Sequence, residues 1–321
     1  MNLRQLLDDG ARFDAEYQGG LSNHLPMALC ALKRLGAKDA RLASFAELYA
    51  QRLVPAPSAS PWPAGAPWAE RLGDLSAWPA YRSLFHDWLV AEGTADVLEQ
   101  ALPRLMAGCG ASAFHGLIRT AYAVQSGHGR ELADGLAYWA CRWLPLGEAP
   151  ANEGSQPDPA AVLARLPAPA TQCVLIVERM TDAARLPGFS AAVSELQIDE
   201  QLLHRLAAHA AMSYANSSNF VLLHLLTSAH ALRVLMPFCT VPLVALRHYW
   251  RAYAAAYAAR GAVAAAAAGT MLPWDELIAA ALASNDEHVI KLVYSCREEQ
   301  AAYGGDAWQR AASRVAVAAR C

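Results

Sequence analysis

The sequence lacks the features that mark nucleic-acid-binding and disordered proteins. Only 17% of its 321 residues are charged, the formal net charge is -3, and no basic run is interleaved with aromatic residues. Nucleic acid is therefore not expected as a partner, because binding to phosphates needs a clustered basic surface. The hydrophobic share is 55%, which is enough to bury a large core and excludes a disordered chain.

Paired cysteines and an export signal are also missing. The seven cysteines are widely spaced and none belongs to a CxxC pair, so neither a disulfide framework nor a thiolate metal site is indicated. The N-terminal stretch carries charges where a signal peptide has an apolar run. These two observations predict a cytoplasmic protein.

Long uninterrupted apolar runs are scarce. The two most apolar stretches, 231–246 and 252–272, contain Arg233 and Arg260 respectively, and the second is mostly alanine. Neither supplies enough hydrophobicity to span a bilayer. Both are predicted to be core helices, and no membrane contact is expected.

What is abundant is helix-forming sequence. Alanine and leucine dominate, apolar residues recur every three or four positions, and no β-branched alternation lies between turn signals, which predicts an all-α fold. We expect one compact multi-helix domain over 1–321, with long helices near 75–106 and 190–214. The five prolines of 54–68 predict a loop, and 145–159 is predicted to be a flexible connection.

The segment DEHVIKLVYSC, residues 286–296, places reactive groups in an apolar helix. His288 and Lys291 lie three residues apart, hence on neighbouring positions of one face. Burial disfavours an ammonium group, so Lys291 is expected to have a lowered pKa and to become an amine able to take up carbon dioxide as a metal-binding carbamate. The alternative is a lysine that extends along the core surface beside a locally hydrogen-bonded histidine.

Three other histidines lie in apolar surroundings. His24 enters the first turn of a helix, and His115 is flanked by small residues that let neighbouring helices approach. His224 lies in a helix that is apolar nearly all round, and a buried histidine must be hydrogen-bonded or ligated. For each, the alternative is a structural histidine. His230 points about 240° away from His224 at ~100° per residue, so the two are not expected to share a metal.

Arginine and aromatic side chains near these histidines are candidates for substrate contacts. Arg119 and Tyr122 follow His115 on its predicted helix and are the predicted catalytic residues, the first to orient a phenolate or carboxylate and the second as a pocket wall. Arg233 is a second candidate for the first role. For both arginines the alternative is a buried ion pair. Further candidate walls are Trp62, Trp68 and Trp250.

Two other patterns compete with this interpretation. Glu200 and His204, four residues apart, form a rival pair of metal ligands. Gly108, Gly110 and Ala113 match a dinucleotide-binding pattern. We reject the second, because such a loop must follow a strand and a helix is predicted before it.

Four segments resemble the questin oxidase-like family, whose fungal members oxidatively cleave a ring of anthraquinone-type polyketides. In the family's order they are SNHLPMALCALKRLGA, AFHGLIRTAYAV, LHLLTSAHALR and DEHVIKLV, which together span residues 22–293. The resemblance implies an all-helical fold and a non-heme iron bound by four histidines and a carboxylated lysine. Carried over, these ligands are His24, His115, His224, His288 and Lys291. The chain departs from the family in looking shorter than the fungal members and in having His230 near a ligand position.

Three hypotheses of function follow. The first is an oxygenase that uses O2 and ferrous iron on an aromatic polyketide or quinone-like substrate, although imidazole ligands also suit other divalent metals. The second is a metal-free Baeyer–Villiger-type monooxygenase that takes electrons from NADPH. The third is a non-enzymatic helical scaffold or ligand-binding protein, which would gain little from burying a lysine amine.

Overall fold

The computed structural model describes residues 1–148, 154–170, 173–261 and 269–318. Part of the predicted connection 145–159 and part of the stretch 252–272 therefore lie outside the described residues. Within the described residues the backbone forms these elements: α1 (Leu3–Gly10), β1 (Glu16–Tyr17), β2 (Leu21–Ser22), α2 (Leu25–Arg34), α3 (Asp39–Ala50), α4 (Trp78–Glu92), α5 (Thr94–Leu105), α6 (His115–Ser126), α7 (Gly129–Cys141), α8 (Pro159–Leu163), α9 (Ile176–Arg185), α10 (Phe189–Val193), α11 (Leu202–Ala215), α12 (Phe220–Leu235), α13 (Pro242–Ala258), α14 (Trp274–Ala283), α15 (Glu287–Tyr303) and α16 (Ala307–Ala318).

The predicted all-α fold is confirmed, since the described β-structure is limited to one short hairpin and isolated bridges. In the hairpin, Glu16 pairs with Ser22 and Tyr17 with Leu21 in antiparallel register. Its turn contains Gly19 and Gly20, whose φ angles of 77° and 108° are disfavoured for residues with a Cβ atom.

The two long helices predicted near 75–106 and 190–214 are each divided. The first breaks at Gly93, whose φ of 84° ends α4 and lets α5 begin in a new direction. The second breaks between Val193 and Leu202, where Leu196 forms a bridge with Gln156. The spacing of apolar residues along the sequence does not predict a break at a single glycine. It does not predict a backbone contact between distant segments either. Helices α1 and α9 were not predicted.

Four helices surround the region in which the predicted ligands lie. Helix α2 packs on α6, α6 on α12, α12 on α15, and α15 on α2, which closes a ring. Behind this ring of helices, α6 packs tightly against α7. The approach is so close that a Cβ atom on Gly116 would lie only 2.7 Å from Trp139 Cα. The ring brings together segments that are up to 267 residues apart in the chain.

One helix of this ring is also the most apolar segment. Among the described residues, only Phe220–Phe238 is long and apolar enough to cross a membrane, with 19 residues and a mean hydropathy of 1.4. Of its most apolar window, 72% is buried inside the protein, which is the pattern of a core helix. The proline-rich segment 54–68 has no α-helix, as predicted, and its Trp62 and Trp68 rings pack against α4.

Candidate metal centre

Three buried imidazoles and the half-buried ring of His288 meet where the ring helices begin. His24 immediately precedes α2, His115 is the first residue of α6, His288 lies in the first turn of α15, and His224 lies in the second turn of α12. The ring centroid of His24 is 4.6 Å from that of His115 and 4.9 Å from that of His288. The centroids of His115 and His224 are 5.0 Å apart. The structure therefore brings together all four histidines predicted as ligands.

Hydrogen bonds fix the orientation of three of these rings. The Nδ1 atoms of His115 and His224 lie 2.5 and 2.8 Å from main-chain carbonyl oxygens. The Nδ1 atom of His288 lies 3.2 Å from a carboxylate oxygen of Asp286, which also caps α15. Because these oxygens only accept, each Nδ1 carries the hydrogen and each Nε2 keeps its lone pair. This arrangement is typical of histidines that bind metals through Nε2.

The Nε2 atoms satisfy a simple test of fit to a metal ion. The Nε2 atoms of His24 and His115 are 2.8 Å apart. Two nitrogen ligands at about 2.1 Å from one ion, with perpendicular bonds, lie about 3 Å apart. The Nε2 atom of His288 is buried and has no hydrogen-bond partner among the described residues. Such an orphaned acceptor is costly, and a bound cation would satisfy it.

Lys291 lies on the opposite side of the His24 ring. Its side chain is buried, with 1% of the residue exposed, and its Nζ atom is 3.2 Å from His24 Nδ1. Burial lowers the pKa of Lys291 to about 8, although the nearby Glu287 carboxylate acts in the other direction. The expected lowering of this pKa is thus present, so that the amine is mostly charged at pH 7, with about a tenth of it neutral.

Glu287 is a polar residue of the site that the sequence analysis missed. Among the described residues, potential ligand atoms of His24, Glu287 and His288 lie within 4.8 Å of one another. A Glu287 oxygen is 3.7 Å from His24 Nδ1 and 3.6 Å from Arg52 Nη1. The signal was present, because Glu287 precedes Lys291 by four residues, the usual spacing of helical Glu–Lys pairs.

Burial keeps His24, His115 and His224 neutral. Desolvation, with smaller contributions from Lys291 and neighbouring imidazoles, lowers the pKa of His24 and His115 well below the usual value. The pKa of His224 is lowered to about 3, again chiefly by burial. The partial positive charge at a helix N-terminus also disfavours a protonated ring. Neutral imidazole is the form that binds metals, so the rings are ready to act as ligands at neutral pH.

The backbone before His115 adopts an uncommon conformation. Ser112, Ala113 and Phe114 have φ angles of 45°, 54° and 70°, so three consecutive residues other than glycine occupy the left-handed region. The sequence predicts a helix near 112–126, whereas α6 begins at His115, because these three residues do not have helical φ angles. Such strain costs free energy and persists where the surroundings impose it. Here it places the Ser112 carbonyl oxygen against His115 Nδ1.

A cavity of about 850 Å³ opens beside the imidazoles. Its walls come from the β-hairpin, the segment after α7 and the first turn of α9. Two of these walls lie close together at Leu175, which precedes α9, and Gly20 of the hairpin. A Cβ atom on Gly20 would lie 3.7 Å from Leu175 Cδ1. All four site histidines and Glu287 line this cavity, but Lys291 lies behind them. The volume is in the range of small-molecule sites.

The predicted catalytic residues Arg119 and Tyr122 lie away from the cavity. Arg119 donates to Glu131 at 2.6 and 2.9 Å, which is the buried ion pair given as its alternative. The Tyr122 ring lies 5.8 Å from that of Tyr294 and 6.5 Å from that of His230. Neither residue lines the cavity, so its walls give no support to the predicted roles.

Other candidates are also placed elsewhere. His230 Nδ1 lies 2.7 Å from a carboxylate oxygen of Glu299, and Arg233 donates to the same oxygen. The prediction that His230 points away from His224 is thus confirmed. His204 stacks on Tyr303 rather than joining the site. Of the tryptophans, it is Trp143 that lines the cavity, and the predicted walls Trp62, Trp68 and Trp250 do not.

A comparison with family models identifies the family of this chain. The questin oxidase-like family model matches residues 21–217 and 193–296, which together cover most of the chain. The chain belongs to the questin oxidase-like family. The resemblance noted from four sequence motifs is thereby confirmed, and membership implies an oxidoreductase. No curated protein matches the chain.

Proposed function

We propose that this questin oxidase-like protein is a non-heme, iron-dependent oxygenase that uses O2 to oxygenate or cleave an aromatic polyketide or quinone-like ring. The observation that carries the proposal is the convergence of four imidazoles at the wall of a cavity large enough for such a ring. Three of the imidazoles have their Nδ1 atoms occupied by oxygen acceptors, which leaves Nε2 available.

His115, His224 and His288 would hold the metal through Nε2, His24 would complete the set of imidazoles, and the fifth ligand would come from Lys291, whose Nζ lies 3.2 Å from His24 Nδ1. The Lys291 ammonium first loses one proton, and the neutral amine can then attack carbon dioxide, forming an N–C bond and releasing a second proton, so that a cationic side chain becomes an anionic carbamate. The carbamate extends beyond Nζ, and its charge would balance that of the cation among neutral ligands. Bound ferrous iron would supply a site for O2 and the electrons to activate it.

The remaining walls would hold the substrate and exclude water. Leu144, Leu175 and Ile176 offer apolar contact, and Trp143 offers a flat ring face. Glu16 lies in a fixed polar group, since it accepts hydrogen bonds from Tyr138 and Arg142 at 2.9 and 2.8 Å. An aromatic ring can thus lie between apolar surfaces with its polar edges toward the charged groups.

Oxygen consumption tests this proposal. Protein purified without a histidine tag is depleted of metal and then assayed with hydroxyanthraquinones, with and without added ferrous iron. We expect oxygen uptake only with iron, and a loss of more than about a hundredfold in the His115→Ala variant, a size typical of removing a catalytic group. The matched control, His230→Ala, should retain activity.

Other outcomes would favour the other hypotheses. Oxygen uptake that requires NADPH and survives chelation would favour the metal-free Baeyer–Villiger-type monooxygenase. The absence of both metal binding and oxygen uptake with any quinone would favour a helical ligand-binding protein. Both outcomes contradict the proposal.

A further inference from the structure

The cavity contains three arginines that differ in their partners. Arg142 forms an ion pair with Glu16, and Arg52 Nη1 lies 3.6 Å from a carboxylate oxygen of Glu287. Arg179 also lines the cavity, but no ion pair joins it to a carboxylate of the described residues. The cavity walls therefore carry an excess of positive charge, and Arg179 is its source.

Arg179 also has a buried donor without an acceptor. Its Nε–H is shielded from solvent and has no hydrogen-bond partner in the part of the chain that the structure describes. A buried donor left unpaired costs free energy, and no carboxylate of the described residues offsets the charge of this guanidinium. The neighbouring cavity residues Val174, Leu175 and Ile176 are apolar and offer no acceptor side chain.

The position of Arg179 is fixed by the helix that carries it. The adjacent Met180 is fully buried, and so is Ala183 one turn later. Helix α9 packs against α13, and the Met180 Cε atom would lie 3.1 Å from a Cβ atom on Gly110. This packing anchors α9, so the guanidinium presents its donors from a defined place on the wall.

We propose that Arg179 recognises an anionic oxygen on the substrate, a ring carboxylate or an ionised phenol. The inference rests on the proposed function and names its substrate class. The two Nη groups of a guanidinium present N–H donors side by side, which match the two oxygens of a carboxylate, and a guanidinium also pairs strongly with a single phenolate oxygen. Arg179 thereby determines specificity for charged aromatic compounds while the apolar wall contacts the ring.

Binding measurements on four compounds test this inference without requiring turnover. The probes are anthraquinone-2-carboxylate with its neutral carboxamide, and 2-hydroxyanthraquinone, at a pH at which it is ionised, with its neutral methyl ether. Titration calorimetry is done on wild type, Arg179→Gln, Arg179→Lys and the control Arg185→Gln. Arg185 is exposed in the last turn of the same helix and does not line the cavity.

We expect wild type to bind at least one charged compound about tenfold to a hundredfold more tightly than its neutral counterpart, as for a charge-assisted pair. Arg179→Gln should lose this preference without weakening the neutral compounds, Arg179→Lys should keep part of it, and Arg185→Gln should match wild type. A preference for the carboxylate over its carboxamide indicates a carboxylate substrate, and a preference for the ionised phenol over its methyl ether indicates a phenolate. A preference retained in Arg179→Gln, or no binding of any compound, overturns the inference. A preference lost as expected in a protein without oxygen uptake would defeat only the proposed function.

Discussion

Two buried polar clusters share helix α6 but are built in opposite ways. In the ion-pair cluster, Arg119 faces Glu131 at 2.6 Å and Arg82 faces Asp134 at 2.7 Å, so each charge has an opposite charge. In the imidazole cluster, four bases face one another, and one buried Nε2 atom has no partner in the described structure. The charges of the first cluster are thus paired within the protein, apart from Arg119 Nη1, which has no hydrogen-bond partner among the described residues. The second cluster is a set of bases in which the buried Nε2 of His288 has no donor facing it.

This difference teaches which buried polar groups indicate function. Burial alone does not, because Arg119 and His115 are both buried, one turn apart. What distinguishes them is whether the protein itself supplies the partner. A satisfied ion pair holds helices in place, and an unsatisfied set of lone pairs reduces stability until a ligand binds. Substitutions should therefore change stability with opposite signs in the two clusters.

The largest effect is expected from breaking the ion-pair cluster. Arg119→Met should lower the free energy of unfolding by about 3–5 kcal/mol, because it leaves Glu131 buried without its partner. Urea denaturation measures this change, with Arg185→Met as an exposed control on α9. Metal bound per folded molecule should not change. Wild-type stability in Arg119→Met would show that the ion pair does not hold the helices together.

The site histidines should make the metal-free protein sensitive to acid. The pKa of His224 is lowered to about 3 in the folded state, so between that pH and about 6.5 the unfolded chain binds more protons and stability falls as pH falls. At pH 5 this amounts to about 2 kcal/mol for His224. Urea denaturation at pH 7 and at pH 5 gives the free energy of unfolding that is lost between the two. This loss should be smaller in His224→Gln than in wild type by about 2 kcal/mol. Equal pH effects in the two proteins would contradict the lowered pKa.

The smallest stability change is expected at Lys291, and it has the opposite sign. Its pKa is lowered to about 8 by burial, so at pH 7 the folded protein retains a buried ammonium that is destabilised relative to the unfolded chain. Lys291→Met should raise the free energy of unfolding of the metal-free protein by about 1 kcal/mol, while weakening metal binding. The control is Lys33→Met, at an exposed position. A large loss of stability in Lys291→Met would mean that the lysine is a structural residue.

The sequence was sufficient to find the four histidines, because each lies in, or immediately before, a helix whose apolar periodicity is clear. It was not sufficient for Arg119 and Tyr122. By periodicity they share a face with His115, but the site lies at the start of α6, and residues four and seven positions later lie about 6 and 10 Å further along the axis. There, Arg119 meets Glu131 of α7 instead of the cavity.

The cavity walls could not be predicted for a different reason. Arg179 belongs to α9, which the periodicity did not predict, and it reaches the cavity only through contacts of α9 with α13. The left-handed residues before His115 were likewise hidden, because their conformation is imposed by the surrounding structure rather than by residue type. Contacts between segments that are distant in the chain determine both the position of Arg179 and the conformation before His115. Such contacts cannot be inferred from a single sequence.

The two histidines of α12 allow the most direct test of the central claim. His224 faces the other imidazoles, whereas His230 is paired with Glu299. Iron titration of the metal-free protein should give about one ion per chain in wild type and in His230→Ala. Each of His24→Ala, His115→Ala, His224→Ala and His288→Ala should weaken iron binding by more than about tenfold. Unchanged iron affinity in these four variants, or an equal loss in His230→Ala, would contradict a metal centre formed by these imidazoles.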